Sequence, residues 1–221
     1  MNPNLLTVIV LSLKVALCAT LLVGLPGILF GYLLARKTFP GKSLLSALLG
    51  LPMVLPPTAV GFLLLNALAH DGPLGFDLGI LLTWKAAVLA AGVMALPLVV
   101  RTSRVAFEQV DPRLEQMART LGHGPLQTFV RYSLPLAGRG IAAALLLGFT
   151  RALGEYGATV ILAGSIPGET ETLASAIFNA QLQNEPGQAN LLMWIAIGIG
   201  LGAILVSEAL VHGSNKKASK R

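Results

Sequence analysis

Two ionisable residues stand four positions apart inside a long apolar stretch, where charged side chains are rare. Arg151 and Glu155 would lie on one face of a helix, close enough to form an ion pair. A lone charge in the hydrocarbon core of a bilayer costs about 2.5–3.5 kcal/mol on insertion scales. The pair therefore has two interpretations: an ion pair that locks one helix to a neighbour, or a cation that meets a dianion on its way through the protein.

Residue types that carry covalent chemistry are not grouped in this sequence. The histidines are far apart along the chain, at His70, His123 and His212, and no spacing typical of a catalytic triad is present. The phosphate-binding pattern GxxxxGK[ST] is also missing, so the chain is not expected to hydrolyse ATP. The sequence thus predicts a protein that is not an enzyme, with no catalytic residue, no cofactor and no bound metal.

The composition is typical of an integral membrane protein. Hydrophobic residues make up 54% of the 221 residues and charged residues only 12%, against about 25% in soluble domains. The net charge of +6 does not indicate nucleic-acid binding, because the basic residues cluster in short segments between apolar stretches. Five stretches are long enough to cross a bilayer as helices. They are Leu6–Leu34, Leu44–Leu68, Gly79–Val100, Leu134–Ala163 and Leu191–Val211.

The basic residues predict the orientation of this all-α bundle of five transmembrane helices. Segments 35–43 and 101–133 and the tail 213–221 carry most of the lysines and arginines. The alternate loops, 70–78 and 164–190, have no lysine or arginine and contain five acidic residues. Because basic loops stay in the cytoplasm, the N-terminus is predicted outside and the C-terminus inside, with residues 213–221 as a basic cytoplasmic tail.

The cytoplasmic segment 101–133 is predicted to contain a polar helix, a glycine elbow and a second helix. Asp111 is expected to cap the first helix, Pro112 to occupy its first position, and Gly122 to be the left-handed residue that ends it. Pro125 is expected to start the second helix. One apolar stripe of the first helix is predicted at Val110, Leu114, Met117, Ala118 and Leu121. The segment is either an amphipathic connector on lipid headgroups or a docking site for another protein.

This segment resembles the cytoplasmic signature of permease subunits of ABC importers. The signature begins glutamate-alanine-alanine, continues to a glycine and ends isoleucine-x-leucine-proline. With the same spacing, this chain reads Gln116-Met117-Ala118, Gly122 and Tyr132-Ser133-Leu134-Pro135. Glutamine replaces the glutamate, methionine the first alanine and tyrosine the isoleucine, while Glu115 stands one place before the expected glutamate.

The resemblance implies that a cytoplasmic ATPase contacts this segment. The coupling residues that it implies are Glu115, Gln116, Met117, Ala118, Gly122, Pro125, Leu134 and Pro135. The charged residues Arg113, Glu115 and Arg119 either pair with that partner or are solvated.

Four further stretches are similar to the membrane subunit of molybdate ABC importers. They are residues 34–43, 51–65, 107–122 and 151–173. The resemblance implies a type I ABC importer permease domain over residues 6–212, with 101–133 as its coupling loop. It also implies a homodimer with a pore between the subunits, two cytoplasmic ATPase subunits, an extracytoplasmic oxyanion-binding protein and a multi-pass location in a prokaryotic inner membrane.

The function that the resemblance implies is ATP-driven import of molybdate, with tungstate or sulfate and thiosulfate as alternative substrates. A self-contained, ion-coupled transporter is the contrasting class. Such a transporter would require internal repeats and several intramembrane acidic residues that form an ion site. The acidic residues of the predicted spans are Glu155 and Glu208, and the sequence has no convincing repeat.

Residues of the predicted second and fourth spans are candidates for a translocation path. They are Pro56, Pro57, Thr58, Arg151 and Glu155. Prolines in a span kink the helix. Such a kink either lies beside a water-filled path or serves the packing of the helices, and both interpretations are open. The outer segment 164–190 is expected to dock a binding protein and to contain a short helix at Leu173–Gln183.

Overall fold

The structure is a computed structural model that describes residues 3–69, 72 and 79–212. The predicted basic tail 213–221 and nearly all of the predicted outer loop 70–78 lie outside the described residues. The regular structure of the described residues is helical throughout. Four of their helices are long and apolar enough to cross a membrane. A bent pair of shorter helices adds a fifth span when the pair is counted as one span.

Helices α1 (Pro3–Arg36) and α4 (Trp84–Glu108) form the centre of the bundle. Small side chains allow helices to come close without a cavity between them. Those buried completely in this core include Ala16, Ala19, Ala86, Ala90, Ala91 and Ala95. The third predicted span is shifted, because α4 begins only after Thr83, whose hydroxyl accepts a hydrogen bond from the backbone N–H of Lys85.

The second predicted span, Leu44–Leu68, is not one helix. It consists of α2 (Lys42–Gly50) and α3 (Pro57–Leu68), which meet at an angle of 108°. A 3₁₀ turn and an extended Pro56 separate them. Prolines lack the N–H donor that a continuous helix needs, so closely spaced prolines end one helix and begin another. The kink expected from the sequence is therefore a complete change of direction.

The fourth predicted span, Leu134–Ala163, is also broken. Helix α8 (Gly138–Leu153) ends before Gly154, and α9 (Gly157–Ala163) follows after three non-helical residues. The break was not expected from the sequence, because the whole stretch is apolar enough to continue. The first and last predicted spans correspond to α1 and to α11 (Pro186–His212).

The two short half-spans α3 and α9 pack directly against each other. A Cβ atom on Gly61 would lie 3.0 Å from Cα of Ala158, and one on Gly157 would lie 2.9 Å from Cβ of Pro57. A larger residue at Gly157 would force the two helices to shift, and one at Gly61 would make an unusually tight contact, so glycine at both positions favours this approach. The pair brings the start of α3 next to the start of α9.

The predicted outer helix is present as α10 (Leu173–Leu182). Its first backbone N–H donates to the hydroxyl of Ser12 on α1, at 2.6 Å. This bond holds the segment between α9 and α11 against the N-terminal half of α1.

Candidate functional site

The elbow of segment 101–133 has the predicted local structure. Helix α5 (Pro112–Thr120) begins with the Asp111 carboxylate accepting a hydrogen bond from the backbone N–H of Arg113, at 2.9 Å. Gly122 ends it with a φ of 87°. The N–H groups of Gly122 and His123 donate to the carbonyls of Arg119 and Ala118, which is the pair of bonds in a Schellman motif. The chain therefore turns sharply and reproducibly at this glycine.

The second helix of the elbow is not an isolated surface helix. Helix α6 (Pro125–Thr128) continues through a π-helical turn, Phe129–Ser133, and α7 (Leu134–Leu136) into α8. Together they make one span of 29 residues, Pro125–Leu153. Pro135, the second residue of the predicted fourth span, lies inside this helix, two residues after a π turn of the kind that is frequent at functional sites. The second helix of the elbow and α8 are thus parts of one continuous span.

The predicted apolar stripe divides into a buried part and an exposed part. Val110 and Ala118 are buried. Leu114, Met117 and Leu121 are exposed by 43%, 60% and 75% of their surface. The stripe is thus packed against the protein only in part, which leaves Leu114, Met117 and Leu121 exposed. Together with the exposed Leu126, they form what we call the elbow surface.

Glu115 points into the protein. It is only 5% exposed, and its Oε1 atom accepts hydrogen bonds from Nε of Arg36 at 2.9 Å and from the hydroxyl of Ser133 at 2.8 Å. Nη2 of the same arginine donates to the carbonyl of Val110 at 2.7 Å. A buried charge must be paired and hydrogen-bonded in this way. Of the two interpretations given for Glu115, partner contact and solvation, neither describes this inward-facing position.

Arg36 was missed as a site residue. At the end of the first predicted span it indicated only orientation, because basic residues are common at cytoplasmic helix ends. No local pattern marks it, since its partner Glu115 is 79 positions away.

The predicted ion pair of the fourth span is formed, but not within one helix. Nη1 of Arg151 lies 2.6 Å from Oε2 of Glu155, and the other carboxylate oxygen accepts the backbone N–H of Ala158 at 2.9 Å. Glu155 thereby caps α9 while its partner belongs to α8. The Glu155 side chain is 2% exposed and that of Arg151 is 31% exposed.

The candidate path residues of the two broken spans are brought together. Pro56, Pro57 and Thr58 are exposed at the start of α3. The backbone nitrogen of Thr58 is 3.2 Å from the position of a Cβ on Gly157, two residues after Glu155. The fold therefore places Pro56–Thr58 beside the broken segment that carries the ion pair.

Comparison with known proteins identifies the family of this helical bundle. Residues 27–220 match the family described as "Binding-protein-dependent transport system inner membrane component". The chain belongs to this family. It is 44% identical over 221 residues to the molybdenum transport system permease protein ModB of Escherichia coli (strain K12), with 96% of each chain covered. It is 35% identical over 182 residues to the sulfate transport system permease protein CysT of Salmonella typhimurium, covering 80% of this chain and 66% of that relative.

A solved structure supports the same assignment of fold. The inward-facing MetNI methionine ABC transporter aligns with a TM-score of 0.63 and 16% identity, over 95% of this chain and 99% of that chain. The protein is thus a multi-pass membrane protein and an ABC importer permease with the type I transmembrane fold. The resemblance found in the sequence and the expected fold class are confirmed.

Proposed function

We propose that the chain is the membrane-spanning permease subunit of an ATP-driven molybdate importer in a prokaryotic inner membrane. Two copies form the translocation path between them. Two cytoplasmic ATPase subunits bind the elbow surfaces, and an extracytoplasmic oxyanion-binding protein delivers the substrate to the outer face. ATP hydrolysis takes place in the ATPase subunits.

The exposure of the elbow surface is the observation that carries this proposal. Apolar side chains that project from a rigid, well-capped helix are typical of a protein-binding site. Met117 belongs to this surface, and the exposed Gln116 lies beside it for partner contact. Glu115 and Ala118 are buried and hold α5 against the rest of the protein. Gly122 and Pro125 set the shape of the elbow.

Coupling follows from the continuity between the elbow and α8. Leu134 and Pro135 lie in the segment that joins α6 to α8, so a push on the elbow surface displaces this span as a rigid body. In this proposal the coupling loop transmits motion and catalyses no reaction.

The start of α3 and the broken fourth span supply the wall of the path in this proposal. Broken helices within a membrane are tolerated where protein or a water-filled cavity surrounds them. Pro56, Pro57 and Thr58 are exposed in the single protomer and face the second copy or the path. Arg151 and Glu155 hold α8 to α9 behind them.

Molybdate is favoured because a relative of that description is 44% identical over nearly the whole chain. Sulfate is the second candidate, because a sulfate permease relative is 35% identical over a shorter part. Tungstate has the same charge and shape as molybdate and is tested together with it.

Uptake by a reconstituted complex tests the proposal. The chain, its ATPase and its binding protein are placed in vesicles, and uptake of labelled molybdate, tungstate and sulfate is measured with and without ATP. We expect molybdate uptake that requires ATP and both partners. Uptake by the chain alone, or uptake driven by an ion gradient without ATP, would contradict the proposed function.

A further inference from the structure

A buried polar cluster joins three separate parts of the chain at its cytoplasmic end. The Arg36 cluster consists of Arg36, Glu115, Ser133 and the carbonyl of Val110. The guanidinium group uses two nitrogens, Nε toward Glu115 and Nη2 toward the Val110 carbonyl, at 2.9 and 2.7 Å. The Ser133 hydroxyl reaches the same carboxylate oxygen at 2.8 Å. The cluster therefore ties the last residue of α1 to both ends of the 110–115 segment and to the π turn below α8.

The charges of this cluster are removed from water. The side chains of Arg36 and Glu115 are exposed by only 10% and 7%. Apolar residues of similar size often stabilise a fold as well as a buried ion pair does, so stability alone does not explain the pair. A buried pair does, however, fix one relative position of the elements that carry it, because any shift leaves a charge unpaired.

An aromatic cluster supports the same joint. Tyr32 of α1 contacts Phe107 of α4 and Phe129 of the π turn edge-to-face, with centroids 5.2 and 4.7 Å apart. Phe107 is fully buried. Such packing resists sliding of one helix past another. The polar cluster and the aromatic cluster thus connect α1, α4 and α8 to the base of the elbow.

We propose that the Arg36 cluster makes α1 and α5 move as one body during transport. This proposal rests on the proposed coupling of the elbow surface to an ATPase. A push on that surface displaces α8 through the continuous helix and displaces α1 through Arg36 and Glu115. Arg36, Glu115 and Ser133 are positioning residues, because they hold the elbow and do not form its exposed face.

The chain offers a matched control for the removal of this ion pair. Arg104 and Glu108 form a pair of 2.7 Å within α4, also near the cytoplasmic end, but both side chains are exposed and the pair joins no separate elements. Arg104→Met therefore removes a similar charge contact without loosening a joint.

The first experiment measures uptake per ATP hydrolysed in the reconstituted complex with labelled molybdate. We expect Arg36→Met to leave ATPase binding and hydrolysis in place and to lower uptake per ATP about tenfold, which is within the usual range of coupling between sites. Ser133→Ala, which removes one hydrogen bond and little volume, is expected to lower it about threefold. Arg36→Lys is expected to restore part of the ratio, and Arg104→Met to leave it unchanged.

The outcomes decide between positioning and general stability. Equal losses of hydrolysis and uptake, or loss of bound ATPase in the Ser133→Ala complex, would overturn the proposal, as would an unchanged ratio in all three cluster variants. If Arg36→Met does not fold, the uptake per ATP hydrolysed in Ser133→Ala and Arg36→Lys decides between the two roles.

A distance measurement tests the joint even if molybdate is the wrong substrate. Spin labels are placed at exposed positions, Lys37→Cys one residue after the end of α1 and Arg113→Cys on α5, in a Cys18→Ala background. In the wild-type complex we expect the distance between labels within one protomer to stay the same with and without trapped ATP. In Arg36→Met we expect it to change. A wild-type distance that changes on ATP trapping would refute the joint, whatever the substrate.

Discussion

Glu155 uses both carboxylate oxygens within the protein. One oxygen pairs with Arg151 and the other caps α9 through the N–H of Ala158. Glu155 therefore neutralises the charge of Arg151 at the end of α8 and also accepts a backbone N–H at the start of α9. Its partner Arg151 is 31% exposed, so one side of the pair reaches the surface of the single protomer.

Replacement of the pair distinguishes a wall residue from a residue that binds the substrate. Arg151→Met leaves the buried Glu155 unpaired and is expected to cost about 3–5 kcal/mol of stability. The double variant Arg151→Met, Glu155→Gln removes both charges but keeps an oxygen for the N–H of Ala158. We expect the double variant to unfold at a higher temperature than the single variant and to retain molybdate uptake. Loss of uptake in a stable double variant would instead assign Arg151 a direct role in conduction.

At the scale of the element, the elbow depends on one backbone conformation. Gly122 has a φ of 87°, and the space around its Cβ position is open. A side chain there is disfavoured by backbone strain and not by a clash, and a β-branched residue is disfavoured most. Gly124, two residues on, has an ordinary φ of −67° and equally open space.

These two glycines form a matched pair for testing the elbow. We expect Gly122→Val to insert into the membrane but to reduce molybdate uptake about tenfold or more, because a strain of about 1–2 kcal/mol shifts the elbow surface relative to the ATPase. Gly124→Val adds the same volume without strain, and we expect it to keep uptake near the wild-type level. Membrane insertion, hydrolysis and uptake are measured for both. Equal effects of the two variants would show that volume, and not the left-handed turn, matters.

At the scale of the whole molecule, many large apolar side chains of the described residues are exposed. Large apolar side chains of α1, α2, α3 and α11 are exposed in the single protomer. In the most apolar stretch of α11, only 11% of the residues are buried. Lipid and the proposed second copy provide the surroundings for these faces. The orientation of the bundle in the bilayer remains a prediction from the basic residues.

Cysteine labelling tests this orientation. In a Cys18→Ala background, Gln183→Cys lies on the exposed surface just after α10, and Arg119→Cys lies on the exposed surface of α5. We expect a membrane-impermeant thiol reagent to label Gln183→Cys in intact cells and Arg119→Cys only after the membrane is opened. Labelling in the opposite order would invert the predicted topology and exclude contact between the elbow surface and a cytoplasmic ATPase.

The features that the sequence determined by itself are those that depend on local chain properties. The length of the apolar stretches predicted the number of spans, since a bilayer requires a fixed helix length. Asp111, Pro112, Gly122 and Pro125 predicted the elbow, because caps, proline and left-handed glycine act within a few residues. The spacing of Arg151 and Glu155 predicted their ion pair.

The tertiary structure decided the features that depend on contacts between distant residues. The break after Leu153 becomes stable because Glu155 caps α9 and glycines allow α3 and α9 to approach. The inward position of Glu115 depends on Arg36, which lies 79 positions away and has no local signal. A pattern along the chain indicates which side chains share a helix face. It does not indicate which distant residues pack against that face, because burial and pairing depend on the tertiary structure.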